Sequence, residues 1–180
     1  MGFLKRVCVI FVAIIFCSSG VGGNTFADSS KVSKKIEGIE EVSLSKAESK
    51  IRDASVVVRD PLTGSYGSGT FFRIEKKNIV ITAAHVVDSL RHVEVIGRAN
   101  EKVIGTVIYV DPRFDFAMIT IPDMISRTPV KFKPHKEEDL VGTNVTYTGH
   151  PAHHDLLTVR GRVVGKDERT QSILMHSYAW

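Results

Sequence analysis

Past residue 17 the sequence contains no cysteine. Both of its cysteines, Cys8 and Cys17, lie in an N-terminal apolar segment. The rest of the chain can therefore form no disulfide and offers no cysteine nucleophile, so its stability has to come from its core. Long apolar runs are scarce too. The one that stands out, Val7 to Phe16, falls short of the roughly 20 residues that a membrane span needs. Internal repeats and low-complexity segments are absent. Charge of one sign is also in short supply: the net formal charge is +4, and it falls to +2 if Lys5 and Arg6 are removed with the N-terminus. That balance gives no argument for a nucleic-acid partner. The pairs Lys34-Lys35 and Lys76-Lys77 stand isolated and suit a solvated face and a hairpin turn.

What is there begins with an export signal. Lys5 and Arg6 precede the apolar run, small residues follow, and Thr25-Phe26-Ala27 offers a small–x–small cleavage site before Asp28. This layout reads as a secretory signal peptide over residues 1–27, which places the protein in the periplasm or outside the cell. A membrane attachment is expected only if that segment stays uncleaved. A lipid anchor through Cys17 is disfavoured, because bulky Phe16 stands where such sites want a small residue.

The remaining sequence, in a chain of 180 residues that is 43% hydrophobic, suffices for one compact domain or two small ones. Residues 28–53 read as a polar leader ending in a short helix. Ser45 is its expected N-cap, since Glu48 stands three positions later as a capping box requires. The charged face of this helix suggests no function. From Ala54 short β-branched runs alternate with turns. Strands are expected at Ser55–Arg59, Gly69–Ile74, Ile79–Thr82, His92–Ile96, Val103–Val110 and Phe116–Ile121, with Asp60-Pro61-Leu62-Thr63-Gly64 as a turn and one or two helical turns over Ala83–Leu90. Six short strands with almost no helix suggest a closed antiparallel barrel over residues 54–128. The proline-bearing stretch Pro122–Pro134 reads as a connection. Residues 129–180 then offer about three strands, at Asn144–Thr148, Leu156–Val164 and from Ile173, which looks like the front half of a second barrel. The expected fold class is all-β: two antiparallel β-barrels, the second incomplete.

Two residues could share acid–base chemistry. His85 follows the apolar strand Ile79-Val80-Ile81-Thr82 and the small residues Ala83 and Ala84, so its imidazole can stand at a barrel rim. An unperturbed imidazole titrates near working pH and suits a general base. Asp115 heads the apolar strand Phe116-Ala117-Met118-Ile119 and can hold the other ring nitrogen. Asp111 is the rival acid, but it precedes Pro112 and suits a turn. Asp88, three residues after His85, suits the end of a helical turn.

These pieces resemble a known family. Gly67-Ser68-Gly69-Thr70-Phe71-Phe72, then Ile79 to Val87, then Val110 to Ile119, occur in the order seen in trypsin-like serine peptidases, nearest to the bacterial HtrA/Deg-type branch. Gly149-His150-Pro151 followed by Thr158 to Val164 is similar to that branch's second barrel. The resemblance implies a serine endopeptidase acting on polypeptides through an acyl-enzyme, with His85 as base, Asp115 as its orienting acid and no cofactor. It implies a serine from the second barrel, in a Gly-x-Ser-Gly-Gly-like loop that also builds the oxyanion hole. By family spacing that loop begins just past Trp180. Ser172 and Ser177 sit in no glycine-bearing turn, so the chain as given is expected to be inactive, either a fragment or a natural remnant. A catalytically dead binding module is the alternative. Oligomeric state stays open.

The cluster His150, His153, His154 and Asp155 has ligand-type residues, but its spacing matches no closed four-ligand zinc pattern, and a polar loop is expected. Gly67 and Gly69 lack the following Lys-Ser/Thr of a phosphate loop, and a strand-edge or bulge role is expected for them. No metal site is expected.

Overall fold

A computed structural model describes residues 43–132, 140–151, 155–167 and 172–177. The expected signal peptide, residues 28–42, Pro134, His153, His154 and Trp180 lie outside the described residues.

The β-branched runs become six strands: β1 (Ser55–Arg59), β2 (Tyr66–Ile74), β3 (Lys77–Thr82), β4 (His92–Ile96), β5 (Lys102–Asp111) and β6 (Phe116–Thr120). They hydrogen-bond in the order β1-β4-β5-β6-β3-β2, and β2 returns to β1. Every one of these pairings is antiparallel. The sheet thus closes on itself where β1 meets β2, which removes the free edge along that seam. Alternate residues of each strand point inward. Val56 and Val58, Phe71, Val80, Val93 and Val95, and Ala117 and Ile119 fill the interior without solvent exposure.

Two details differ from the sequence expectation. β2 starts at Tyr66, three residues earlier than expected. The Asp60 carboxylate accepts bonds from Leu62 N and Thr63 Oγ1, and Asp60 N donates to Ser65 O. The turn is therefore closed by Ser65, and pairing starts at Arg59 with Tyr66. The proline-bearing connection also holds a short strand, β7 (Val130–Lys131). It runs parallel to β2 at Phe72 and Arg73, beyond the last residue that β1 pairs. There Phe132 meets Phe72 edge-on, with centroids 6.1 Å apart.

A second sheet holds β8 (Asn144–Gly149), β9 (Leu157–Asp167) and β10 (Ser172–Ser177), in the order β10-β9-β8 and antiparallel throughout. Val163 is its one deeply buried side chain among the described residues. Three strands with so little enclosed surface form an open, partial second barrel.

Helix α1 (Lys46–Ala54) ties the two sheets together. Its N-cap is Ser45 and its capping box is complete: Ser45 Oγ accepts from Glu48 N, and Glu48 Oε2 accepts from Ser45 N at 2.7 Å. Glu48 is only 3% exposed because it also meets Arg160, whose Nη2 donates at 2.9 Å. One helical turn later Arg52 Nη1 donates to Leu156 O at 3.0 Å and to Thr158 Oγ1 at 2.8 Å. Positions i and i+4 share a helix face, and alternate strand positions share a side, so the two rows mesh. At its other end α1 bonds to the segment after β6: Thr128 N donates to Asp53 O, and Arg127 Nη1 to Arg52 O. The charged face that suggested no function is thus a clasp between the barrel and β9.

This clasp has a pH signature. The bond from Arg160, followed by those from Ser45, holds the Glu48 carboxyl down at about 2, against an ordinary value of 4.5. A folded-state pKa below the unfolded one stabilises fully above the unfolded value and is lost as pH falls through the folded value. The wild-type thermal midpoint is expected to fall between about pH 4.5 and 2 more steeply than that of Glu48→Gln. Parallel curves would show that the pair contributes nothing.

Candidate active site

Register brings the two candidate residues together. In the β3–β6 ladder Thr82 stands opposite Ala117. His85 follows the end of β3 by three residues, and Asp115 precedes β6 by one, so both emerge at the same rim. After Thr82 the chain makes one helical turn, α2 (Ala84–Val87), with Ala83 and Ala84 buried beneath it. Asp115 N-terminally flanks β6 with φ +49°, a left-handed backbone that Asp adopts more readily than most residues.

Asp115 grips His85 twice. Its Oδ1 accepts the His85 backbone N–H at 3.0 Å, and its Oδ2 lies 2.8 Å from His85 Nδ1. A carboxylate only accepts hydrogen bonds, so the ring proton belongs on Nδ1, which leaves a lone pair on Nε2. The imidazole side chain is 58% exposed, and Nε2 has no hydrogen-bond partner among the described residues. Through that lone pair the imidazole can take a proton from a donor that approaches Nε2, or attack an electrophile there.

Asp111 does not touch His85. It accepts from Arg113 N at 3.0 Å and pairs with the Arg113 guanidinium, which holds its carboxyl below the usual range. Its work is to build the turn that delivers Asp115. Asp88 ends α2, its N–H donating to Ala84 O. Ser177 lies on β10, where its hydroxyl shares a hydrogen bond with Tyr147 at 3.2 Å. No serine hydroxyl bonds to His85 among the described residues.

For the glycines, close packing adds a reason to the strand-edge role that was expected. Gly67 and Gly69 lie inside β2 and pair there with β1, while the ladder to β3 begins only at Thr70 and shows no bulge at either glycine. A Cβ on Gly67 would overlap Val86, the residue after His85. Valine in a helical turn has little rotamer freedom to move aside. A Cβ on Gly69 would press on Val80, Val58 and Val56 in the core. Gly67 lets β2 pass close beneath the turn that carries His85, and Gly69 lets it pack closely on the core valines.

Between them Ser68 holds the second sheet. Its Oγ accepts from His150 N at 2.8 Å, while its carbonyl accepts from Thr82 Oγ1 at 2.8 Å. Thr82 is buried and leads directly into Ala83-Ala84-His85. Neither Ser68 nor Thr82 had a role of its own in the sequence reading; the available signal was their place inside the family-like stretches, Ser68 between two glycines and Thr82 before Ala83. His150 is half-buried here rather than part of a solvated loop. Burial, with Arg127 nearby, pushes its imidazole pKa down, and its Nδ1 is enclosed without a partner among the described residues.

Residues 67–180 match the family model of the trypsin-like peptidase domain. The chain belongs to the trypsin-like peptidase family. Among solved structures it is similar to the Rv3671c protease in its inactive form, with 21% identity and a TM-score of 0.52, over 73% of this chain and 66% of that one. It is similar also to the serine endoprotease from Yersinia pestis, with 17% identity and a TM-score of 0.57, over 76% of this chain and 55% of that one. At these identities the likeness is one of fold: a trypsin-like closed barrel followed by a second, incomplete one. The chain spans just under two thirds of the first of these structures and about half of the second. No curated protein gives a significant match.

Proposed function

We propose that this trypsin-like peptidase domain belongs to an exported serine endopeptidase, with His85 as the general base and Asp115 as the acid that orients it. The observation that carries the reading is the double grip of Asp115 on the backbone N–H and Nδ1 of one histidine. It turns the ring and fixes its proton, the two conditions a serine's base has to meet. The serine would face Nε2 from a Gly-x-Ser-Gly turn supplied by sequence beyond Trp180. His85 would take the serine proton as the peptide carbonyl is attacked, and would return it to the leaving amine. The signal-peptide layout of residues 1–27 supports export to the periplasm or the medium.

The solvent-facing Nε2 of His85 also favours a second reading, a protease-like binding module that hydrolyses nothing. A fluorophosphonate probe separates the two, since it labels only an activated serine. The 180-residue chain is expected to stay unlabelled. A chain continued through the reading frame after Trp180 is expected to label, and to lose the label with His85→Ala. A frame without such a serine, or labelling that survives His85→Ala, would remove the peptidase reading.

A further inference from the structure

The pair His85–Asp115 is complete as a nucleophile without a serine. The ring proton is drawn to Nδ1 by Asp115 Oδ2, the ring is turned by the same carboxylate, and Nε2 keeps an exposed lone pair with no partner among the described residues. No other described histidine combines these features. The His92 ring meets only Thr106 Oγ1, at 3.5 Å, and His150 is half-buried with its Nδ1 enclosed. His176 belongs to β10 and has a partner of its own.

We infer that this chain itself transfers acyl groups from activated acyl compounds, of the aryl ester and thioester class, to water through Nε2 of His85. In the first step Nε2 forms a bond to the carbonyl carbon, and the bond from that carbon to the aryl oxygen breaks. The aryloxide leaves with the electron pair. The product on the protein is an acyl-imidazolium whose Nδ1 proton stays on the Asp115 side, where the carboxylate offsets its charge. In the second step water adds to the acyl carbon and the carbon–Nε2 bond breaks. Nε2 recovers its electron pair, the carboxylic acid departs, and the second water proton goes to solvent, balancing the aryloxide.

The same chemistry excludes peptides. An amide would have to expel an amine anion, a far poorer leaving group than imidazole, so its adduct with Nε2 reverts. Peptide hydrolysis needs a donor for the leaving amine and an oxyanion hole for the adduct. An aryloxide or thiolate leaves without that help. The inference shares with the proposed peptidase role only the tautomer of His85.

The test uses the purified 180-residue chain and p-nitrophenyl acetate. Nitrophenolate release is expected above the solution background. His85→Ala and His85→Gln are both expected to lower the protein-dependent rate at least about tenfold, a floor set below the roughly 10²–10⁴-fold that a positioned acid–base side chain contributes. His85 is exposed, so these variants retain the fold, which far-ultraviolet circular dichroism checks. His92→Ala is expected to leave the rate unchanged. Mass spectrometry after rapid acid quenching is expected to find one acetyl group on the peptide that contains His85. An unchanged rate in both His85 variants, or an equal loss in His92→Ala, would overturn the inference. Failure of fluorophosphonate labelling in an extended chain would remove the peptidase reading while leaving this result standing.

Discussion

Phe71→Ala is expected to destabilise the protein by about 3–5 kcal/mol, the range for truncating a fully buried aromatic side chain. Phe71 has no exposed surface and stands among Val56, Val58, Val80 and Val95 in the barrel interior. Truncation removes the ring's transfer energy and leaves a cavity. The cavity cannot collapse readily, because the surrounding strands are locked in a closed ring of hydrogen bonds. No cysteine past residue 17 can hold the chain together when the core weakens. Against a typical total of about 5–15 kcal/mol, such a loss takes a large share of the stability. Urea denaturation measures it as a lower midpoint with an unchanged slope. Leu62→Ala, at a turn residue that is 87% exposed, is the matched control and should shift little. A Phe71→Ala midpoint within error of wild type would mean that the barrel core does not govern unfolding.

Under the proposed peptidase role, Asp115→Asn is expected to lower kcat of a chain that carries the nucleophile serine by about 10⁴-fold, the scale of loss when a serine's base is held in the wrong tautomer. The two bonds of Asp115 decide the orientation of the new amide. Oδ1 accepts the His85 backbone N–H, so the asparagine must keep its carbonyl oxygen there. Its NH₂ then faces Nδ1, 2.8 Å away in the wild type, and donates to it. The ring proton is driven to Nε2, and the lone pair that should take the serine proton is gone. The prediction is a fall in kcat with KM nearly unchanged, because Asn occupies the same space. In the 180-residue chain the same variant is expected to abolish His85-dependent ester turnover. A nitrogen-15 NMR spectrum of the ring reads the tautomer directly. A ring still protonated on Nδ1 in Asp115→Asn would refute the argument.

The closed barrel was legible because alternation announces itself within a few residues. Val56 and Val58, Val93 and Val95, and Ala117 and Ile119 place one face inside without reference to any other strand. The pairing of His85 with Asp115 was legible from residue type, since an apolar strand ending in Ala-Ala-His and another headed by Asp match a known order. The preference for Asp115 over Asp111 came from Pro112 alone, and the geometry supplies the fuller reason: Asp111 is occupied by Arg113. What stayed hidden was anything joining distant segments. Ser68 looked like a spacer between glycines until His150 N was seen to donate to it. Glu48 was legible only as a capping-box partner and Arg52 only as part of a charged face, because nothing near them in sequence says that β9 will present Thr158 and Arg160. β7 was hidden for a related reason. Its two residues have no pattern, and only the overhang of β2 beyond β1 gives them a partner.

The clasp of α1 also sets an order of events. Each ladder of the barrel other than β1–β4 and β3–β6 joins strands that follow one another in the chain or nearly so, whereas Glu48 and Arg160 are 112 residues apart. Closing so long a loop has an entropic cost that only a nearly finished structure offsets. During synthesis α1 leaves the ribosome ahead of the barrel and waits, with its acceptor strand still unmade, until residue 160 has emerged. Its contacts therefore form after the barrel does, and the expected signature is a φ-value near zero at Glu48 beside higher values among the hairpin residues of β2 and β3. A helix made before the barrel finds its place after it.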